Sequence, residues 1–167
     1  MQLVSTRDAT RLTGLSTEQL REWTSRRALI PPDVKPKGHG SPARYSWQTI
    51  LLLRLAVVLR DRFRMELQAH RDLFAALAVG LARMSFLSLR GQALILTGGP
   101  RWSLADIRDG GLAADDCIVL QLDSHLNQLS EAFSFPDPFA PLQVQLFPAL
   151  DMTPDVATGL MKRHKHG

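Results

Sequence analysis

A short segment near the N-terminus carries polar and cationic side chains of the kinds that recognise nucleic-acid bases. Arg donates two hydrogen bonds to guanine and Gln pairs with adenine, whereas Lys and backbone amides mainly hold phosphate. Thr17, Gln19, Arg21 and Arg26 lie close together on a segment with helical spacing, and Glu22 lies among them. The segment predicts a helix whose outer face reads base edges in a DNA major groove. For any single residue, a solvated or internally paired role is the alternative.

Capping residues predict two short helices that would position these side chains. Ser5 or Thr6 can cap the first helix and Ser16 or Thr17 the second, because a hydroxyl accepts from the free N–H groups of a first turn. Gln19 stands where it would complete a capping box with Ser16. The two helices are therefore expected to flank a short turn.

Apolar residues at helical spacing define the inner faces of these helices. Ala9 and Leu12 belong to the first helix, and Leu20 and Trp23 belong to the second. Trp23 is expected to pack in the core in preference to contacting DNA, although its indole N–H could reach a phosphate. The second helix should end before the prolines at 31–32, because Pro lacks an N–H and disfavours helix at the preceding residue.

A basic loop follows at residues 33–44. It holds Lys35, Lys37, His39 and Arg44 among glycines and prolines. Because glycine allows close backbone approach, such a loop can lie along the sugar-phosphate edge of DNA. The alternative is an ordinary flexible surface loop.

These features together resemble the winged helix-turn-helix of MerR-type regulators. Residues 12–16 read Leu-Thr-Gly-Leu-Ser, residues 20–32 run from Leu-Arg through an aromatic and two further Arg to Leu-Ile-Pro-Pro, and residues 43–46 read Ala-Arg-Tyr-Ser. The resemblance covers about the first third of the chain and, more loosely, the helices up to about Met84. It implies a DNA-binding regulator with its wing on the DNA backbone, and a dimer held by the helix beyond the winged unit.

The residues and the resemblance give a set of expected DNA contacts. They lie in the helix-turn-helix and the basic loop: Thr6, Ser16, Thr17, Gln19, Arg21, Trp23, Arg26, Lys35, Lys37, His39, Arg44 and Tyr45. Glu22 departs from the aromatic or small residue of many relatives, and a carboxylate that faced DNA would repel phosphate. The loop is also longer and richer in Gly and Pro than the common form.

Charge is unevenly distributed along the chain. Residues 1–64 hold twelve Lys and Arg against five Asp and Glu, whereas the remainder holds eight against eleven, within a net charge of +4. This asymmetry favours a polyanionic partner for the first part and argues against one for the second. The alternative is an uneven but merely solvated surface.

Two longer helices are predicted beyond the loop. Ser46 would cap the first, at residues 47–63, which is apolar on nearly all sides and is therefore expected to be buried all round. The second covers about residues 66–84, with His70 as a packing residue on or beside its apolar stripe. The resemblance implies that it contributes to a dimer, but its stripe stops near Ser85 and does not continue as a long heptad pattern.

A small α+β module is expected from about residue 85. Alternating and apolar runs bounded by turn residues predict strands at 92–97, 102–107, 117–122 and 142–146. Asp123 or Ser124 would cap a helix before the last strand, with His125 exposed. Its apolar stripe would be Leu126, Leu129 and Phe133.

The sequence offers no evident arrangement for catalysis or metal binding. Gly98 and Gly99 lack the Lys-Ser/Thr of a phosphate loop and precede Pro100, which favours a hairpin turn. Residues 115–116 are Asp-Asp, but the sequence shows no further oxygen ligands for a metal site. Cys117 lies in an apolar run without a nearby His, which indicates an inert buried thiol. No catalytic triad, Cys/His pair or paired carboxylates stand out. We therefore expect neither an enzyme nor a metal or other cofactor.

Length and composition favour a globular intracellular protein. The 167 residues are 45% hydrophobic, which suffices for a real core in one domain or a small pair. No apolar run approaches the ~20 residues that span a bilayer, and no secretion signal is evident, so neither secretion nor membrane insertion is expected. The single cysteine excludes an internal disulfide and fits a reducing compartment.

The sequence thus predicts a mainly helical α+β regulator that binds double-stranded DNA as a homodimer on an inverted repeat, in the cytoplasm at the nucleoid. Its expected parts are a winged helix-turn-helix at 1–64, a connecting or dimerisation helix at 65–84, an α+β effector or oligomerisation module at 85–161, and a basic tail at 162–167. A small molecule or a protein would act on the C-terminal module. The alternatives are an excisionase-like architectural factor and a protein-binding adaptor on a winged scaffold.

Overall fold

The computed structural model describes residues 2–38, 41–106 and 116–135. In chain order its elements are β1 (Val4–Ser5), α1 (Thr6–Thr13), α2 (Thr17–Arg21) continued by a π-helical turn (Glu22–Arg26), β2 (Arg44–Tyr45), α3 (Trp47–Phe63), a 3₁₀ turn (Leu67–His70), α4 (Arg71–Leu81), a second 3₁₀ turn (Leu87–Leu89), β3 (Gln92–Leu96), β4 (Trp102–Asp106), β5 (Ile118–Gln121) and α5 (Asp123–Ala132). This mixture of helix and sheet agrees with the predicted α+β class. The strand expected at 142–146, Asp115 and the basic tail lie outside the described residues.

Side-chain caps set the starts of the first two helices, as predicted. The Ser5 hydroxyl oxygen accepts from the Asp8 amide at 3.2 Å. Ser16 Oγ accepts from the Gln19 amide at 3.1 Å, and Gln19 Oε1 accepts from the Ser16 amide at 3.1 Å, which completes the capping box. Between the helices Gly14 has a φ of +74°, a left-handed conformation that glycine adopts without steric cost.

A small antiparallel ladder closes the basic loop at its base. Val4 pairs with Tyr45 and Ser5 with Arg44, so the chain entering α1 lies beside the chain leaving the loop. On the other side of β2, Val34 and Arg44 exchange backbone hydrogen bonds of 3.2 and 3.1 Å. The loop is therefore attached to the helix-turn-helix by its two ends.

Helix α3 is the centre of the core and confirms the boundaries predicted from the sequence. Ser46 caps it and it runs over Trp47–Phe63. Its middle turns bury Ile50, Leu51, Leu53 and Leu55 completely. Because apolar side chains leave the helix in every direction, it contacts α1, α4 and α5 at once.

The helix predicted at 66–84 is shorter and begins differently. Glu66 caps a 3₁₀ turn by accepting from the Gln68 amide at 3.0 Å, and His70, at φ −111° and ψ 27°, separates this turn from α4. At the other end Arg83 and Met84 bond to carbonyls three residues back, which tightens the last turn. The α-helix itself is therefore only Arg71–Leu81.

The C-terminal part of the described chain is an antiparallel sheet with strand order β4-β3-β5, followed by α5. The three strands lie where the sequence predicted them. Strands β3 and β5 are one and two residues shorter than predicted, and residue 107, the predicted end of β4, lies outside the described residues. Helix α4 approaches β4 closely at Gly80, where an added Cβ would lie 2.0 Å from the Trp102 ring. The side chains of Leu94, Leu120 and Leu126 join the same hydrophobic core as α3.

Three predictions about α5 and its surroundings were wrong. No side chain of the described residues caps this helix; Asp123 Oδ1 instead accepts from the Gly91 amide at 3.0 Å, which fixes the helix to the start of β3. His125 is half-buried and not exposed, because α5 packs on α3 through this residue. Cys117 is half-buried beside the end of β3, and not a fully buried thiol.

Candidate nucleic-acid interface

Helix α2 presents a hydrophilic outer face. Thr17, Glu18, Gln19 and Arg21 are exposed, whereas Leu20 is completely buried beneath them. These four exposed residues are called the α2 outer face below. A short helix with one buried anchor and exposed polar neighbours has the composition that major-groove contact requires.

The capping box constrains two of the predicted contacts. Ser16 Oγ and Gln19 Oε1 are both used in bonds to backbone amides. The Gln19 side chain still has its NH₂ group to donate outward, toward a base acceptor or a phosphate oxygen. Arg21 forms no ion pair within the described residues, so it has the full set of guanidinium donors to offer.

Glu22 is paired internally. It accepts from Arg27 Nε at 2.7 Å and lies 3.5 Å from Arg26 Nη1. The hydrogen bond from Arg27 holds the pKa of Glu22 below its usual value, so the carboxylate is charged at neutral pH. The repulsion of phosphate expected from Glu22 is therefore compensated by Arg26 and Arg27.

The continuation of α2 is anchored by Trp23. This side chain is 8% exposed, and its backbone carbonyl accepts from Leu29 at 2.8 Å and from Ile30 at 3.2 Å. The Arg60 guanidinium lies 4.9 Å from the centre of its ring, a cation–π contact that ties α3 to the end of α2. Trp23 thus positions the helix, as expected for a core residue.

Arg71 holds the chain just after α2 and was not foreseen from the sequence. It donates to the Arg27 carbonyl at 2.6 Å and reaches the Ala28 carbonyl at 3.5 Å. Ala28 has a φ of +46°, which is unfavourable for a residue with a Cβ, so the contact stabilises a strained turn. Arg71 lies more than forty residues away in sequence, and no local pattern could have indicated the pair.

The basic loop places its cations on the surface. Lys35, Lys37 and Arg44 are exposed, and His39 lies outside the described residues. Asp33 Oδ2 accepts from the Ser46 amide at 2.6 Å and so fixes the loop to the start of α3. Three cations are thus exposed on a loop whose two ends are fixed by hydrogen bonds.

The remaining predicted contacts differ in exposure. Thr6 is half-buried at the start of α1, and Ser16 and Arg26 are exposed near α2. Tyr45 is 2% exposed and belongs to the core beneath the loop. The surface residues of the predicted set therefore fall into two groups, one on and around α2 and one on the loop, while Trp23 and Tyr45 support them from below.

Arg54 lies on the side of α3 that faces α1 and α5. Together with Leu12 and His125 it forms a contact that is called the Arg54 junction below. Arg54 Nε donates to His125 Nδ1 at 3.2 Å, and its Nη1 donates to the Leu12 carbonyl at the end of α1. Burial and, to a lesser extent, the charges of Arg54 and Arg62 lower the pKa of His125 to about 4, so His125 is neutral and accepts the bond. The junction connects the helix-turn-helix to α5.

Within the described residues, no three His, Cys, Asp or Glu side chains are grouped in a way that could hold a metal ion. None of the helices in the described part of the chain combines the length and apolar character needed to cross a bilayer.

Comparison with known proteins agrees with this geometry. No curated protein matches the chain. Residues 4–77 match the model of the MerR HTH family regulatory proteins, a range that runs from β1 into α4 and contains the α2 outer face and the basic loop. The chain therefore carries an N-terminal helix-turn-helix domain of the MerR type, which indicates a DNA-binding transcriptional regulator.

Proposed function

We propose that this protein regulates transcription by binding a specific double-stranded DNA sequence, with α2 in the major groove and the loop 33–44 as a wing on the DNA backbone. The observation that carries the proposal is the α2 outer face, where Gln19 and Arg21 are exposed above the buried Leu20 within a MerR-type domain. Arg21 would read guanine, and Gln19 would donate to a base or a phosphate. Thr17 would hold phosphate at the start of the helix.

The wing is supported by its charge and its attachment. Lys35, Lys37 and Arg44 are exposed on a loop whose ends are fixed by the Val34–Arg44 bridge and by Asp33. Lysines on such a loop would hold phosphates without base specificity and set the position of α2 in the groove. His39 would add a further donor to this surface.

We further infer that the protein acts as a homodimer on an inverted repeat. Helix α2 has five residues and can touch only a few base pairs, so two copies double the specific contacts. The region 65–84 and the module 85–161 are then the parts that connect the copies and receive an effector, and the tail 162–167 adds general attraction to DNA. A regulator of this kind works at the nucleoid in the cytoplasm and needs no catalytic residues.

The decisive experiment is selection from a random DNA pool by the purified full chain, followed by affinity measurements across a salt series. We expect one inverted motif to be enriched and the logarithm of affinity to fall steeply with the logarithm of salt concentration. Arg21→Glu, Lys37→Glu and Arg44→Glu should each weaken binding at least tenfold at about 100 mM salt. Arg62→Glu, a charge reversal at an exposed position of α3 outside the α2 outer face, the wing and region 65–84, is the matched control and should leave binding nearly unchanged.

The variants also separate the base contact from the backbone contacts. Arg21→Ala should relax the preference at one position of the motif, whereas Lys37→Ala should weaken all sequences alike and reduce the salt slope by about one per subunit. Binding without any enriched sequence would contradict the regulator and favour an architectural factor. No binding to DNA, with a protein partner retained by the charge-reversal variants, would favour an adaptor.

A further inference from the structure

A cavity lies between α3, α4 and the turn that follows α2, away from the α2 outer face. It has a volume of about 490 Å³, and apolar side chains form most of its wall, among them Ile30, Leu52, Phe74 and Leu81. This volume and this apolar character are those of small-molecule sites in proteins, which occupy roughly 300–1,000 Å³. None of the described residues of the predicted α+β module 85–161 lines it.

The polar part of the cavity wall contains hydroxyl, amide and carboxylate groups. Ser46, Thr49 and Gln48 line it, and the Oε1 atom of Gln48 is buried without a hydrogen-bond partner among the described residues. Asp33 and Asp72 add two carboxylates, of which Asp33 uses only Oδ2 internally, for the Ser46 amide. Arg71, the cation that the described part of the chain places in the wall, already donates to backbone carbonyls.

We propose that this cavity is a binding site for a small, largely apolar molecule that carries a hydrogen-bond donor such as an amine or a hydroxyl group. The apolar body would pack between Leu52 and Phe74, and the donor would point to the carboxylate of Asp33. The carboxylates of Asp33 and Asp72 favour a ligand that donates, because hydrogen bonds to a charged acceptor are the stronger ones. An anionic ligand would meet the two carboxylates and is disfavoured.

The position of the cavity gives such a ligand a route to the DNA-binding helix. Ala28, Leu29 and Ile30 form part of the wall, and Ala28 is the strained residue whose carbonyl Arg71 contacts. A ligand that moves α4 or this turn changes how Arg71 holds the end of α2. This regulatory step rests on the proposed function, whereas binding to the cavity does not.

Binding is tested first, with four probes of nearly equal size: benzylamine, benzyl alcohol, toluene and benzoate. Titrated into the full ¹⁵N-labelled chain, benzylamine and benzyl alcohol should give saturable NMR shifts at the Gln48 side-chain amide and at Ala75 and Ala78, with a Kd of about 1 mM as expected for so small a ligand. Toluene should bind more weakly and benzoate weakest. An absence of saturable shifts, or equal shifts with all four probes, would overturn the proposal.

Two substitutions assign the site. Ala78→Leu places a larger side chain in the cavity wall from an exposed helix position, and should reduce benzylamine binding at least tenfold. Val79→Leu is the matched control, since Val79 is 60% exposed, adjacent, and absent from the cavity wall. Asp33→Asn, which keeps an oxygen that can accept from the Ser46 amide but removes the charge, should keep toluene binding and remove the preference for benzylamine. Unaltered binding to Ala78→Leu would overturn the site.

The DNA readout and the mass of the protein separate the remaining outcomes. Saturating benzylamine should change the affinity of the full chain for its selected DNA at least threefold, and should have no effect on Ala78→Leu. Binding at the cavity with unchanged DNA affinity would overturn the regulatory step alone. If the full chain binds no DNA in the absence of any probe, the proposed function is contradicted instead. A loss of dimer mass in Ala78→Leu would mean that a second copy occupies the cavity, and would overturn the small-molecule site.

Discussion

Arg21 on the α2 outer face and Arg54 in the Arg54 junction are the same residue type in opposite surroundings. Arg21 is exposed and has no ion pair within the described residues, whereas Arg54 is half-buried and donates to Leu12 and His125. An exposed guanidinium keeps its donors for a partner molecule, while a buried one has already used them to join helices. The comparison shows that charge alone does not assign a residue to the nucleic-acid interface.

The largest loss of stability is expected for Arg54→Ala. The substitution leaves the Leu12 carbonyl without its donor and removes the hydrogen bonds by which α3 holds α1 and α5. The free energy of unfolding should therefore fall by about 2–3 kcal/mol. Denaturant unfolding of the full chain measures this. Arg62→Ala, an exposed arginine on the same helix, is the control and should change stability by less than about 0.5 kcal/mol. Equal effects of the two substitutions would remove the distinction between junction and surface.

The contact between α4 and β4 should be next in size. In Gly80→Ala the new Cβ would meet the Trp102 ring at 2.0 Å, so one of the two elements must shift, at a cost of about 1–3 kcal/mol. The gain of about 1 kcal/mol in helix propensity offsets part of this cost. Thermal unfolding of Gly80→Ala, Trp102→Leu and the double variant gives the coupling. The clash predicts that the double variant is more stable than the sum of the two single effects. A double variant whose stability equals that sum would argue against the clash.

These two contacts mark the limit of what the sequence could provide. Capping residues act within a few positions, so the starts of α1, α2 and α3 followed from Ser5, Ser16 and Ser46. The pairs Arg54–His125 and Gly80–Trp102 depend on which helices meet in space. No local pattern contains that information, and for this reason His125 was expected to be exposed.

The same limit applies to the candidate interface. The exposure of Gln19 and Arg21 followed from helical spacing around Leu20, because one buried anchor fixes the direction of its neighbours. The pairing of Glu22 with Arg27 at five residues apart does not match the usual helical spacing of three or four, and it occurs here in the π-helical turn. Arg71 required the position of α4, which the sequence did not supply.

The Arg54 junction should also make stability depend on pH. The pKa of His125 is about 4 in the folded protein, against about 6.5 in an unfolded chain. The unfolded state therefore binds more protons between these values, so stability is full above pH 6.5 and falls as pH drops toward 4. Because His125 is only partly buried, we expect a contribution of about 1–2 kcal/mol. The unfolding free energy of His125→Gln, measured from pH 7 to pH 4, should lack this part of the slope. A slope identical to that of the unaltered chain would contradict the junction.

The smallest effect on folding is expected at the α2 surface, where Glu22→Gln releases Arg26 and Arg27 from their carboxylate. Because all three side chains are at the surface, stability should not change measurably. The two freed arginines should instead strengthen DNA binding a few-fold and make the slope of log affinity against log salt steeper by about one per subunit. Glu18→Gln, which removes an exposed carboxylate in the first turn of α2 without breaking an ion pair, is the control for charge alone. If both substitutions steepen the slope equally, Glu22 acts only through its charge. A larger change for Glu22→Gln means that the ion pairs hold Arg26 and Arg27 back from DNA, which sets them apart from the unpaired Arg21.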